Sequence, residues 1–290
     1  MLSDTKANKV FLIILVVLLA LGFTLTKGWN VRNRDSRSNQ TVDFATTDSL
    51  KVSTISNDIV IEVDNAAKGA SISIGRNESD VLSVSKTGRN LNVDVKPKQA
   101  WFFRFFPYSP SAVVITLPAS RLDSLELSSI SGEIRLLHPI QGRNLVARST
   151  SGGIDFLTLT SDQTITLSSI SGSINGSEVT SKQSAEILGT SGSIEVQNIE
   201  AKDASLKSIS SNVEADVKIL EGGSLNASST SGSVRIDLKQ STDLKVQAST
   251  TSSQVVFNDK ELGKSATAET GNAQNKVTLS TVSGKIELWY

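Results

Sequence analysis

The phrase SSISGEI at residues 128–134 decides how this chain is read, because it keeps returning. It comes back as STSGGI at 149–154, SSISGSI at 168–174 and GTSGSI at 189–194. It continues as SISSNV at 208–213, SSTSGSV at 228–234, STTSSQV at 249–255 and STVSGKI at 280–286. The glycine, or the serine in its place, falls at 132, 152, 172, 192, 211, 232, 253 and 284, giving steps of 20, 20, 20, 19, 21, 21 and 31 residues. A period near twenty marks a repeat architecture in which each copy is one unit stacked on its neighbours.

Within each copy the apolar residues alternate, which is the period of a strand. Leu125, Leu127, Ser129 and Ser131 share one face, and after a one-residue shift at Gly132 that face resumes with Ile134 and Leu136. Leu225, Ala227, Ser229, Ser231, Val234 and Ile236 repeat the arrangement. The pattern predicts an all-β chain folded as a parallel β-solenoid, one coil per repeat, with equivalent side chains stacked about 4.8 Å apart. Both serines of each phrase are expected inside a tight corner, with the β-branched residue between them (Ile130, Thr150, Ile170, Thr230, Val282) turned outward. Gly132, Gly152, Gly172, Gly192, Gly232 and Gly284 are expected to supply positive φ or a bulge at that corner. An antiparallel sandwich of hairpins is the competing arrangement; even spacing favours coils, because hairpins tolerate unequal arms. The patterns of leucine-rich and calcium-binding nonapeptide repeats are absent.

Outward from the repeats, residues 41–120 are less regular. They hold strand-like runs at 59–63, 71–74, 81–84, 91–95 and 113–117, with a turn signal at Gly88-Arg89-Asn90. An exposed first coil recruits other chains, so 41–120 is expected to form an N-terminal β cap on a solenoid spanning 121–290. Trp289 and Tyr290 are expected to cover the last coil. Inside the cap, Trp101, Phe102, Phe103, Arg104, Phe105, Phe106, Pro107 and Tyr108 carry six of the 14 aromatic residues. Two readings stand for them: a loop folded over the apolar end of the solenoid, or an exposed contact for membrane or partner.

Beyond a short tail at 1–9, residues 10–26 (VFLIILVVLLALGFTLT) contain no charge and are bounded by Lys9 and Lys27. As a helix they span about 26 Å, close to a bilayer core. The run exceeds the apolar core of a signal peptide and lacks a clean cleavage site, so a retained transmembrane helix is expected. Residues 27–40 read as a basic polar linker. Residues 1–40 carry six Lys/Arg and two Asp, net +4, and the remainder 23 against 27, net −4. The basic stretch suits anionic lipid head groups, and the acidic remainder argues against nucleic acid as a partner. Taken alone, the Lys and Arg flanking the span would place its carboxyl side in the cytoplasm.

The chain has 46 Ser and 24 Thr, no Cys and a single histidine, His138. Thiol catalysis, disulfides and multi-histidine metal sites are thereby ruled out. His138 precedes Pro139 with no acid pair nearby and reads as a surface-loop residue. Glu133, Asp155, Glu195, Glu214 and Asp237 fall singly along the coils and read as a solvated face. No catalytic, cofactor-binding or metal residue is assigned, and the chain is expected to be no enzyme.

The Ser-x-Ser-Gly-x-Ile phrases, preceded by VVITLPAS at 113–120, resemble the "putative adhesin" family of bacterial β-solenoid domains over residues 41–290. With its single amino-terminal span, the chain is similar to LiaG-type membrane-anchored proteins associated with cell-envelope stress systems of Gram-positive bacteria. The resemblance implies a single-pass protein of the cell membrane with its solenoid outside the cell, without catalytic residues. It implies the membrane, envelope components or another membrane protein as partners. Two other roles remain open: a bactofilin-like polymerising solenoid, and a glycan-cleaving β-helix enzyme with clustered acids on one wall.

Overall fold

The computed structural model describes residues 40–42, 47–67, 69–74, 80–97, 112–119, 121–240 and 243–290. The expected tail and transmembrane helix, the linker up to residue 39, and the aromatic run 101–108 lie outside the described residues. No helix among the described residues is long and apolar enough to cross a membrane.

The first strands are β1 (Gln40–Val42), β2 (Ser49–Thr54), β3 (Ile59–Asp64), β4 (Ala70–Ile74), β5 (Asp80–Thr87), β6 (Asn90–Pro97) and β7 (Val113–Pro118). The middle of the chain forms β8 (Leu122–Ser129), β9 (Ile134–Leu136), β10 (Ile140–Ser149), β11 (Ile154–Ser169), β12 (Ile174–Gly189), β13 (Ile194–Ser208) and β14 (Val213–Ser229). The last strands are β15 (Val234–Leu238), β16 (Leu244–Thr250), β17 (Val255–Phe257), β18 (Lys260–Glu261), β19 (Ser265–Glu269), β20 (Asn275–Thr281) and β21 (Ile286–Trp289). The five expected runs before residue 120 are β3 to β7.

Each coil has two walls joined by the Ser-x-Ser-Gly corner on one side and a second bend on the other. β11 to β14 leave one corner, cross the second bend unbroken and run into the next corner, so each serves both walls. Strands of adjacent coils pair in parallel with a shift of about one repeat: Ile134 opposite Ile154, Ile154 opposite Ile174, Ile174 opposite Ile194. These β-branched side chains form an inner column with exposures of 0–1%. Facing them, Leu127, Ala147, Leu167, Ile187, Leu206, Ala227 and Leu279 line the other wall, all at or below 2%. Ala147 and Ala227 interrupt the larger residues of this second column, which leaves room for side chains of neighbouring coils to interdigitate at the density of a protein interior.

The order of coils differs from the chain order at both ends, which simple stacking does not anticipate. The coil of β2 and β3 sits between that of β6 and β7 and that of β8 and β9. The coil of β20 and β21 sits between that of β14 and β15 and that of β16 and β17. The long final step of 31 residues is the excursion through β18 and β19 that makes this insertion possible. Antiparallel strands then close the stack: β5 on β6 and β4 on β7 at one end, β19 on β16 and β18 on β17 at the other. The expected cap therefore contributes whole coils as well as end strands. Trp289 and Tyr290 do not cover the end, because β21 lies one coil inside it; Trp289 Nε1 donates to Asp259 and the Tyr290 ring meets Phe257 edge-on at 6.0 Å.

The corner needs glycine for a reason other than positive φ. None of Gly132, Gly152, Gly172, Gly192, Gly232 and Gly284 has a positive φ. A Cβ on Gly172 would instead lie 2.2 Å from the carbonyl oxygen of Gly152, and one on Gly192 would lie 2.0 Å from that of Gly172. At these six positions the backbones of successive coils meet so closely that no side chain fits between them. Ser211 occupies this column in the coil that steps by 19, and Ser253 in the outermost coil.

The expected burial of two hydroxyls per corner is also half right. The first is inside and the second is exposed. The Gly172 N–H donates to Ser169 Oγ (3.0 Å), and the Ser169 hydroxyl donates to the Gly152 carbonyl of the neighbouring coil (3.1 Å). Ser229 repeats this with Gly232 (2.9 Å) and Ser211 (2.8 Å), and Thr281 with Gly284 (3.1 Å) and Gly232 (2.9 Å). One buried hydroxyl thus satisfies a donor in its own corner and an acceptor in the next, a requirement of buried backbone groups. Ser149 sits in the same column with its hydroxyl unpaired. At the second bend, buried Ser161 and Ser181 act similarly, donating to the carbonyls of Arg143 (2.6 Å) and Gln163 (2.9 Å).

Candidate functional site

Three surfaces of the coil stack bear on function: the corner edge, the outer face of the wall that follows the corner, and a cleft at the second bend. Along the corner edge the residue after the buried hydroxyl forms a column. In spatial order it reads Ile55, Ile130, Thr150, Ile170, Thr190, Ile209, Thr230, Val282, Thr251. Ile130, Ile209 and Val282 are 39%, 37% and 47% exposed. Beside it run Ser131, Ser151, Ser171, Ser191, Ser231 and Ser283, all exposed. Their hydroxyls make no hydrogen bond among the described residues. Nine corners at about 4.8 Å make an uncharged strip of roughly 38 Å. The fold uses the glycine and the first hydroxyl of each phrase; it makes no evident use of the exposed serine.

The acids read as scattered are partly aligned, which corrects that expectation. Arg135, Asp155, Asn175, Glu195, Glu214, Arg235 and Glu287 occupy one outward column through successive register pairs. Equal repeat spacing puts same-position residues side by side however far apart they are in the chain. Asn175 Nδ2 donates to Asp155 (2.9 Å), and Arg235 Nε donates to Glu287 (2.9 Å) while its guanidinium approaches Glu214 (3.4 Å). Lys285 Nζ donates to Glu287 from the other side (2.6 Å). That Lys285 contact first, and Arg235 second, hold the Glu287 carboxyl below its ordinary titration range. Glu133 and Asp237 each lie two residues off this column, on opposite sides, Asp237 beside Asp216 and Lys239. The column lies on a wall, where charges pair with neighbours in the stack. Among the described residues no group of three or more histidine and carboxylate side chains could hold a metal ion.

The cleft lies where the second bend is irregular, between Val63, Pro118, Arg121, Leu122 and the segment from His138 to Gln141. His138 is exposed, as expected of a loop histidine, but its ring is held: the Val63 N–H donates to His138 Nδ1 (3.2 Å). Arg121 forms an ion pair with Asp162, which also binds Lys182 at 2.8 Å. Among the described residues no carboxylate lines the cleft. Of the expected contact residues, the aromatic run lies outside the described residues, while the six corner glycines stand together in one column. Sequence reasoning missed the cleft; its one signal was the break in periodicity at Pro139.

A family model described as Toastrack DUF4097 matches residues 47–288. No curated protein matches the chain. Among solved structures, a "putative adhesin" from Bacteroides fragilis is 14% identical, covers 89% of this chain and 100% of its own, and superposes with a TM-score of 0.51. A "putative lipid binding protein" from Parabacteroides distasonis is 14% identical over 87% of this chain and 96% of its own, with a TM-score of 0.47. A "putative cell adhesion protein" from Clostridium sporogenes is 12% identical over 88% and 98%, with a TM-score of 0.29. At these identities the Bacteroides fragilis structure speaks for a shared fold alone.

Proposed function

Because the chain belongs to the Toastrack DUF4097 family, we propose that it is a non-enzymatic binding or scaffolding protein of the cell envelope. Residues 10–26 tether it to the membrane as a single span, and the solenoid stands outside the cell, where it serves the response to envelope stress. The observation that carries the binding role is the corner edge. Nine coils repeat a β-branched residue at the edge, exposed in five of them and half-buried in four, and beside it stands a serine whose hydroxyl the fold leaves unused. A rigid, uncharged, evenly spaced strip suits contact with an extended or repetitive surface better than the enclosure of a small substrate. Aromatic and arginine side chains at 101–106 add a second candidate contact for lipid or a membrane partner.

Antiparallel strands at both ends of the stack speak against a polymer built by adding coils, which needs bare parallel edges. The compartment is tested on intact cells carrying the chain with a carboxyl-terminal tag. Protease added outside is expected to remove the tag signal before lysis, while a cytoplasmic marker survives. A tag cleaved only after lysis would place the solenoid inside and overturn the envelope-surface role.

A further inference from the structure

We propose that the cleft at the second bend binds a phosphate ester, gripped by His138 and Arg121. This site is separate from the corner edge, so its failure would leave the edge reading untouched.

The cleft arises where the repeat breaks. β11 to β14 cross the second bend in continuous strands of 15–17 residues. Next to them, β3 stops at Asp64 in a turn in which Asp64 accepts the Ala66 N–H (2.8 Å) and the Ala67 N–H (3.1 Å). β7 stops at Pro118 and β9 at Leu136, with exposed Leu137, His138 and Pro139 before β10 resumes at Ile140. The three interrupted crossings leave a cleft of about 370 Å³. The second bend is broken again between β15, ending at Leu238, and β16, starting at Leu244, so the lining of this cleft rather than the irregularity itself points to a ligand.

Chemistry then selects the ligand. Buried Leu117, Leu122 and Ile140 supply an apolar base. Pro118 and Pro139 bring no N–H to the walls, so side-chain donors set the polar preference. His138 Nδ1 accepts from Val63, so the neutral ring carries its proton on Nε2 and keeps one donor to offer. Arg121 is steadied by Asp162 and has further N–H groups available from its fork. Both donors are held from behind by another coil, so little ordering remains to be done when a ligand arrives. Three carboxylates beside the lining residues are engaged: Asp64 in its own turn, Asp123 with Arg143, and Asp162 with two cations. Both donors line the same cleft, and a doubly charged phosphate ester draws more from a guanidinium and an imidazole N–H than a singly charged carboxylate does. The apolar base asks for an ester rather than a bare ion. A lipid head group and a soluble phosphate ester share this chemistry.

His138 is the single histidine of the chain, so its imidazole proton resonances report on the cleft without ambiguity. The chain in phosphate-free maltoside micelles is titrated with glycerol 3-phosphate, with chloride matching the ionic strength. A saturable shift of the His138 signals is expected, and Arg121→Gln should weaken the apparent affinity about tenfold with an unchanged melting temperature. A shift on adding phosphatidylglycerol to those micelles, without glycerol 3-phosphate, assigns the ligand to the membrane. A response only to free ester assigns it to a soluble or polymeric source. Shifts that chloride reproduces, or Arg121→Gln binding as tightly as the parent, overturn the site.

Discussion

At the scale of single residues, one repeat contains its own controls. Gly172→Ala places a methyl group against the Gly152 carbonyl, where 2.2 Å separates the positions. Relief requires two coils to move apart, and a cost of about 1–3 kcal/mol is expected, read from the urea midpoint. Asn175→Ala, three residues on and exposed, should stay within about 0.5 kcal/mol. Ser169→Ala removes a hydroxyl that bridges two coils and leaves a buried N–H and carbonyl unmet, for about 1–3 kcal/mol. Ser171→Ala, two residues away and outside, should change stability by no more than about 0.5 kcal/mol. Equal effects of Ser169→Ala and Ser171→Ala would contradict the one-in, one-out corner. Glu287 adds a dependence on pH. Its folded-state carboxyl is held low by Lys285 and Arg235, so its contribution is fully present above the unfolded-state value of about 4.3. That contribution is lost as pH falls through the lower, folded-state value. The stability difference between the parent chain and Glu287→Gln should therefore be constant near neutrality and shrink in acid, as measured by thermal melts across pH.

At the scale of strands, the continuous parallel pairing of β11 to β14 and the short closing strands define opposite extremes of protection. Amides in the middle of β12 are expected to exchange last with deuterium, and those of β5 and β19 first, because only one flank of each closing strand is paired among the described residues. β20 and β21 hold the most exacting place. They lie between two coils, with Val277, Leu279, Ile286 and Leu288 at 0–1% exposure. Removing residues 275–290 should abolish protection in β16 and β17 as well, since those strands would lose their parallel neighbours. Persistence of β16 protection in that truncated chain, followed by mass spectrometry, would show that the coil closes directly onto β14 and β15.

At the scale of the whole chain, the coil was legible because its determinants are local. Alternation fixes which residues point inward, and a step of twenty fixes what lies above what. Two features escaped because they depend on distant partners. The requirement for glycine at 172 comes from Gly152 in another coil, and nothing in the phrase itself separates close approach from positive φ. The spatial order at the ends escaped for a related reason. Val246, Ala248 and Thr250 present the same inward pattern as Val277, Leu279 and Thr281, so either coil suits the neighbouring place. The candidate cleft had only the interruption at Pro139 to announce it, because a gap between three crossings belongs to no single segment. The inserted final coil also bears on how the protein is born. A ribosome delivers residues 244–257 well before 275–290, yet the earlier segment has no seat in the finished stack until the later one is in. Residues 244–274 must therefore wait, unclosed and open to chaperones or proteases, until 275–290 have left the ribosome.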